Sequence, residues 1–214
     1  MASCCRASPC EEMFDARQAR RNLDRYRRKG LDRLEQQLLD LVAARGVAGG
    51  SVLDIGGGIG MLQAELVEAG AARGEVLELV ESYEPYAREL AREKGLEERT
   101  AYRVGDLIAD REVAEPADIV LLNRVVCCTP DGVGLTGAAA SLTLRLLVLS
   151  FPRDRLLVRF GVRALNVGLR LLRRTFRAYA HRPARLFAAA EAEGLRVTAR
   201  GGGRLWEFAA LERV

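Results

Sequence analysis

Ser51-Val52-Leu53-Asp54-Ile55-Gly56-Gly57-Gly58-Ile59-Gly60 is the stretch that decides the fold. Val52, Leu53 and Ile55 make a short, β-branched-rich run of the kind that forms a buried parallel strand. Asp54 sits at its carboxyl end, and glycine occupies positions 56, 57, 58 and 60. Residues 61–69 then read as a helix with Leu62, Leu66 and Val67 on one face. A strand, a glycine turn and a helix make a binding corner, because only a residue without Cβ lets the backbone bend that sharply and approach a ligand that closely.

The spacing separates the kinds of corner. A dinucleotide fingerprint, G-x-G-x-x-G, would need its third glycine at Met61, and a P-loop would need a Gly-Lys pair that is not there. What stands in register is D-x-G-x-G-x-G, with Asp54, Gly56, Gly58 and Gly60. This resembles the first motif of class I S-adenosylmethionine-dependent methyltransferases. The resemblance implies S-adenosyl-L-methionine as cofactor and those residues against its amino-acid end. A glycine-rich loop in some other α/β protein is the plainer alternative.

Composition agrees with one soluble α/β domain. The chain has 214 residues, 49% apolar and 29% charged, with a net charge of +4. No stripe of basic and aromatic residues points to nucleic acid. No signal-peptide pattern and no apolar run of ~18–20 residues is present, so the cytoplasm is the expected compartment. Five cysteines, an odd number, fit a disulfide framework poorly.

Taken in order, residues 11–28 read as a charged helix with Phe14, Ala19, Leu23 and Tyr26 as its sparse apolar face, closed by Gly30. Residues 31–44 read as a second amphipathic helix. Residues 1–48 are therefore expected to form a helical arm or lid, preceded by a loop or disorder over 1–10, and 49–214 the main domain. Strands are expected over 75–80, 100–104, 117–122, 145–150, 195–199 and 205–211, with helices over 83–94 and 134–144. The alternation implies a Rossmann-like, doubly wound, mostly parallel sheet of seven strands, and Gly201-Gly202-Gly203 implies an antiparallel hairpin at its end.

Ligands of such sheets bind beyond the carboxyl ends of the strands. The second strand offers Glu78, 18 residues past Gly60, with Leu79 beside it. A carboxylate about 20 residues beyond a glycine turn accepts both ribose hydroxyls of an adenosine cofactor. Glu78 fits this better than Glu81. The methyltransferase resemblance implies Asp106 for the adenine amino group and the backbone of Leu107 for the ring, with capping as the plainer role for Asp106. It also places Asn123 and Arg124 beside the transfer site.

The carboxyl half resembles, distantly, the magnesium-protoporphyrin IX O-methyltransferase family. The order Leu149-Ser150-Phe151, Arg177-Ala178-Tyr179-Ala180-His181 and a last strand with Trp206 carries the likeness. The departures are Cys127-Cys128-Thr129-Pro130 where that family has His-Tyr-Pro, Asn123-Arg124 for an acidic-apolar pair, and Gly57 where cysteine is common. The magnesium-porphyrin substrate is therefore not carried over. A small-molecule acceptor under a helical cap, residues 153–193, is expected instead. In that cap Leu156, Phe160, Leu169 and Leu172 alternate with arginines. The first reading is a cap packed on the core with arginines in solvent; a substrate-facing helix or peripheral membrane contact comes second.

Direct in-line transfer to a carboxylate or hydroxyl is the expected reaction. His181, the single histidine, is the base candidate. Tyr179 and Arg124 are candidates for holding an acidic acceptor, and Tyr26 for closing over the cofactor. The cysteines read first as small buried residues, so no metal site is expected. Zinc, an iron–sulfur cluster or a thiophilic metalloid such as trivalent arsenic is the alternative. Two rivals remain: a non-catalytic S-adenosylmethionine-binding partner or sensor, and a nucleotide-dependent oxidoreductase, against which the missing third glycine counts.

Overall fold

The computed structural model describes residues 9–214. The loop or disorder expected over 1–10, with Cys4 and Cys5, falls almost wholly outside the described residues. Two helices open the chain, α1 (Ala16–Lys29) and α2 (Arg33–Ala43). They are followed by β1 (Ser51–Ile55), α3 (Met61–Glu68), β2 (Arg73–Glu78), α4 (Glu84–Glu93), β3 (Thr100–Val104) and β4 (Ala117–Leu122). The remainder is α5 (Gly132–Ser141), β5 (Thr143–Pro152), α6 (Leu156–Leu171), α7 (Pro183–Ala192), β6 (Leu195–Gly202) and β7 (Trp206–Arg213).

The seven strands form one sheet in the order β3-β2-β1-β4-β5-β7-β6. The first five are parallel, and β7 inserts antiparallel between β5 and β6. Strand order reverses between β1 and β4, so their carboxyl ends flank the crevice where such sheets bind ligands.

β4 shows why the middle of the sheet is apolar on both faces. Ile119 and Leu121 join one apolar cluster, Val120 and Leu122 the other, as the two-residue period of a strand requires. The first cluster also takes Leu23 of α1, Leu38 and Val42 of α2 and Leu66 of α3; the second takes Ala139 of α5 and Leu186 of α7. The expected arm is thus packed into the main core rather than standing off as a free lid. Its helices have strong local starts. Asp15 caps α1, and Asp32 with Glu35 forms a reciprocal capping box on α2.

Several boundaries differ from expectation, and those of β2, α5 and the β6–β7 hairpin have local reasons. β2 stops at Glu78 because the carboxylate of Glu78 takes the backbone N–H groups of Leu79 and Val80, which the apolar run had suggested for the sheet. α5 begins two residues early, with the Asp131 carboxylate accepting from Gly134 N–H, and ends early enough for β5 to start at Thr143. β6 and β7 pair through Gly201 and Gly202, so the hairpin turn lies at 203–205.

The cap is the main correction. α7 packs on α5 and β6, but α6 turns most of its leucines outward. Leu156 is 85% exposed and Phe160 69%, and Leu169 is the buried residue of that helix. α6 is held instead by Asn166, whose side chain donates to the carbonyl of Ala178 and accepts from its N–H.

Candidate active site

A cavity of about 1040 Å³ opens beyond the carboxyl ends of β1, β2, β3 and β4. Its floor is the glycine turn. Gly56 and Gly58 have φ of 66° and 59°, in the region that favours glycine. A Cβ on Gly56 would lie 2.6 Å from Val125 Cγ2, so bare backbone is needed for the turn to nest under the loop after β4. Gly56 N–H donates to the carbonyl of Leu77 at 2.7 Å, which ties the turn to β2.

Glu78, the last residue of β2, reaches this turn. Its Oε2 accepts from Gly58 N–H at 3.0 Å and its Oε1 from Leu79 N–H at 2.8 Å. Burial pushes its carboxyl upward, against the pull of those N–H groups. Glu78 and Leu79 both line the cavity, as do Asp106, Leu107, Asn123, Arg124 and Tyr179. Asp106 Oδ1 also accepts from Ile108 N–H at 2.9 Å, so the capping role and the cavity position coexist. Asn123 Oδ1 accepts from Ser150 Oγ at 2.8 Å, which fixes the amide at the end of β4.

Four expected site residues stand elsewhere. Asp54 is buried behind the turn, outside the cavity lining, where a Cβ on Gly57 would meet its Oδ2 at 2.5 Å. Burial, then the charges of Glu78 and Glu35, raises its pKa to about 7. Gly60, with φ of 74°, caps α3 on the side away from the cavity lining. Tyr26 is buried between helices: its hydroxyl donates to Glu65, and Lys94 Nζ lies 5.4 Å from the ring centre. It locks α1 onto α3 and does not close over the cavity. His181 also lies off the cavity lining. Its Nε2 is 3.0 Å from the carbonyl of Thr129, and its ring stacks on Tyr179 at 6.1 Å.

Arg124 is on the cavity but is already engaged. It has a left-handed φ of 60°, its N–H donates to Ser150 Oγ, and its Nη1 lies 2.7 Å from Asp32 Oδ2 and 3.6 Å from Glu35 Oε1. Its guanidinium also sits 5.4 Å from the Trp206 ring centre. Arg124 is thus an anchor for the arm rather than an open fork for an acidic acceptor.

The arm contributes to the wall through residues other than Tyr26, which the sequence had not singled out for the site. Phe14, Arg25, Lys29, Asp32 and Glu35 all line the cavity. The signal for two of them was present, since Asp32-x-x-Glu35 is a capping-box spacing that places a carboxylate pair at one helix end. On the far side Phe176 meets Phe14 edge-on at 5.6 Å, and Tyr179 N–H donates to the carbonyl of Cys127 at 2.8 Å.

Cys10 and Cys128 line the mouth, and Cys127 lies beneath with its sulfur 3.8 Å from that of Cys128. The contact with Cys127, then burial, pushes the Cys128 thiol up. Among the described residues no group of three or more His, Cys, Asp or Glu is placed to hold a metal ion.

No protein-family model matches the chain, and no curated protein does. Solved structures match it in fold. Magnesium protoporphyrin IX methyltransferase from Synechocystis PCC 6803, with bound SAH, is 24% identical, with a TM-score of 0.72 over 96% of this chain and 98% of its own. An N-methyltransferase from Bradyrhizobium japonicum WM9, in complex with S-adenosyl-L-homocysteine, is 16% identical, with a TM-score of 0.67 over 94% of this chain and 98% of its own. A [4+2]-cyclase is 13% identical, with a TM-score of 0.61 over 83% and 80%. The chain has the seven-stranded fold of the S-adenosylmethionine-dependent methyltransferases, a fold that a cyclase shares.

Proposed function

We propose that the chain is an S-adenosylmethionine-dependent methyltransferase for a small apolar acceptor bearing a carboxylate. The observation that carries the reading is Glu78, a half-buried carboxylate at the end of β2, bonded to the glycine turn and facing a cavity large enough for two ligands. An acidic group in that place suits paired ribose hydroxyls. Asp106 and the Leu107 backbone are at the position for adenine, and the bare backbone of Gly56, Gly57 and Gly58 is open to the methionine end. S-adenosylmethionine, when bound, supplies a methyl group on a sulfonium leaving group.

The chain's own contribution is alignment. Holding an acceptor in line with a donor lowers the barrier by several kcal/mol, on the order of what well-oriented pairs gain. Phe14, Phe176 and Tyr179 offer flat apolar walls, while Lys29, and Arg25 already paired with Glu35 at 3.4 Å, give the cavity basic groups on the arm side. A carboxylate acceptor needs no base at neutral pH. With His181 off the cavity lining, this favours a carboxylate over a hydroxyl.

Calorimetry with S-adenosylhomocysteine and with NAD is the first test, and binding of the former alone is expected. A screen of aromatic and aliphatic carboxylic acids with methyl-labelled cofactor follows. Binding without turnover on any acceptor would turn the reading toward a non-catalytic sensor, and no binding at all would sink both.

A further inference from the structure

α6 is built inside out. Val158, Val162, Asn166 and Leu169 lie along one stripe and are the residues turned toward the protein, while Leu156, Phe160, Val167 and Leu171 lie along the opposite stripe in solvent. Leu157 and Leu172 widen the outer face and are 80% and 74% exposed. Exposed apolar residues scattered singly need no explanation, but a continuous stripe along about 24 Å of helix does. Such a face marks a surface that something else covers.

Charge says what covers it. From Arg155 to Ala190 the sequence holds nine arginines and no aspartate or glutamate. On the helix Arg159, whose Nη1 lies 3.8 Å from Asp154 Oδ1, falls with Arg163 and Arg170 along one edge of the apolar stripe, and Arg155, Arg173 and Arg174 stand at its two ends. A second copy of the chain would fit this face poorly, since a self-complementary contact brings the two arginine rows together. A protein core partner would leave the arginines unmatched. A flat array of anionic headgroups over acyl chains satisfies both features at once, taking the leucines and phenylalanine below and the guanidinium groups above. Among the described residues no helix is long and apolar enough to cross a membrane, and a flat-lying helix does not need to be.

We propose that the outward face of α6 is a docking surface for an anionic lipid membrane, with the helix lying in the interface plane. The surface stands outside the cavity and does not rest on the methyl-transfer reading. The segment that follows α6 runs directly back to Phe176 and Tyr179 on the cavity wall.

The test is co-sedimentation of the full chain with vesicles of phosphatidylcholine alone and of phosphatidylcholine with phosphatidylserine. Binding is expected to the second and not the first, weakening as salt rises. Phe160→Glu combined with Leu171→Glu, both at exposed positions and checked for folding by circular dichroism, should weaken partitioning about tenfold or more. Replacing Arg159, Arg163 and Arg170 with Gln should weaken it on the anionic vesicles as well. No sedimentation with either vesicle, or equal sedimentation of parent and Phe160→Glu/Leu171→Glu chains, would overturn the proposal. So would a dimer that Phe160→Glu dissolves while vesicles stay unbound, since the face would then belong to a second copy.

Discussion

Arg124 Nη1 lies 2.7 Å from Asp32 Oδ2, so a left-handed residue just past β4 is tied to the capping residue of α2. One ion pair thereby joins the arm to the strand end that borders the cavity. Both side chains are about a third exposed, 33% and 35%, and solvent screening holds such a pair to ~0.5–1 kcal/mol. Asp32 also accepts from the N–H groups of Leu34 and Glu35, and loss of an N-cap costs about 1 kcal/mol. Asp32→Asn keeps the cap and should cost only the pair, whereas Asp32→Ala should cost roughly twice as much. Urea unfolding of the two variants separates the terms; equal midpoints would show that the cap contributes nothing.

Glu78 is the sharper probe of the cavity. Glu78→Gln keeps one of the two acceptor oxygens, for Gly58 N–H or for Leu79 and Val80 N–H, and removes the charge that would receive two hydroxyl donors. A hydrogen bond to a charged group is worth ~1.5–3 kcal/mol, so affinity for S-adenosylhomocysteine should fall about tenfold to a hundredfold. The fold should stay intact by circular dichroism. Unchanged affinity would remove Glu78 from the cofactor site.

How much of this was legible in the sequence follows from the range of the interactions. β3 and β4 were readable to the residue because their patterns are local: a short strand between turns, and a run buried on both faces. The glycine corner and Glu78 were readable because the spacing is fixed by backbone geometry. Tyr26 was not, since an apolar tyrosine on a helix face does not say that Glu65 and Lys94 lie beside it. Nor was the pairing of Arg124 with Asp32, which stand 92 positions apart in the chain. α6 shows a different limit. The sequence grouped Leu169 with Leu156, Phe160 and Leu172 as one apolar set opposed to the arginines, but Leu169 turns inward and the other three outward, because leucines stand on both sides of this helix and periodicity carries no sign.

Stability should fall as pH rises from about 4 to about 7. Asp54 is raised from 3.8 to about 7 by burial and by the charges of Glu78 and Glu35. Between those two values the folded state holds a proton that the unfolded state has released, so the slope of stability against pH is negative, and it flattens above about 7. At ~1.4 kcal/mol per pH unit the drop is at most about 4 kcal/mol. Glu78 is also raised and adds in the same direction. Asp54→Asn should remove at least half of the slope. Urea titrations at several pH values measure it, and a slope identical to the parent's would place the effect elsewhere.

His181 should be dispensable for the chemistry. Its Nε2 is occupied with the Thr129 carbonyl and its ring is off the cavity lining. His181→Gln can retain a donor to that carbonyl, so kcat should stay within about threefold and the pH–rate profile should keep its shape. A fall of about a hundredfold, with loss of a limb of the profile, would restore His181 as the base.

Gly58 gives the test that decides whether the cavity is the cofactor site. Its φ of 59° is costly for any L side chain, by about 1–2 kcal/mol, and more for a β-branched one. A Cβ there would stand 3.3 Å from Tyr83 Cε1, and further atoms would be forced into the cavity or against that ring. Its N–H must also keep its direction to hold Glu78. Gly58→Val should therefore abolish measurable binding of S-adenosylhomocysteine. Strain alone is controlled by Gly95→Ala: Gly95 has φ of 65° with nothing within 4 Å of its built Cβ, and it lies beyond α4, away from the cavity lining. That variant should lose some stability, about the 1–2 kcal/mol of the backbone strain alone, and no affinity. If Gly58→Val binds as the parent does, or if Gly95→Ala weakens binding equally, then the cavity over the glycine turn is not where the cofactor is held.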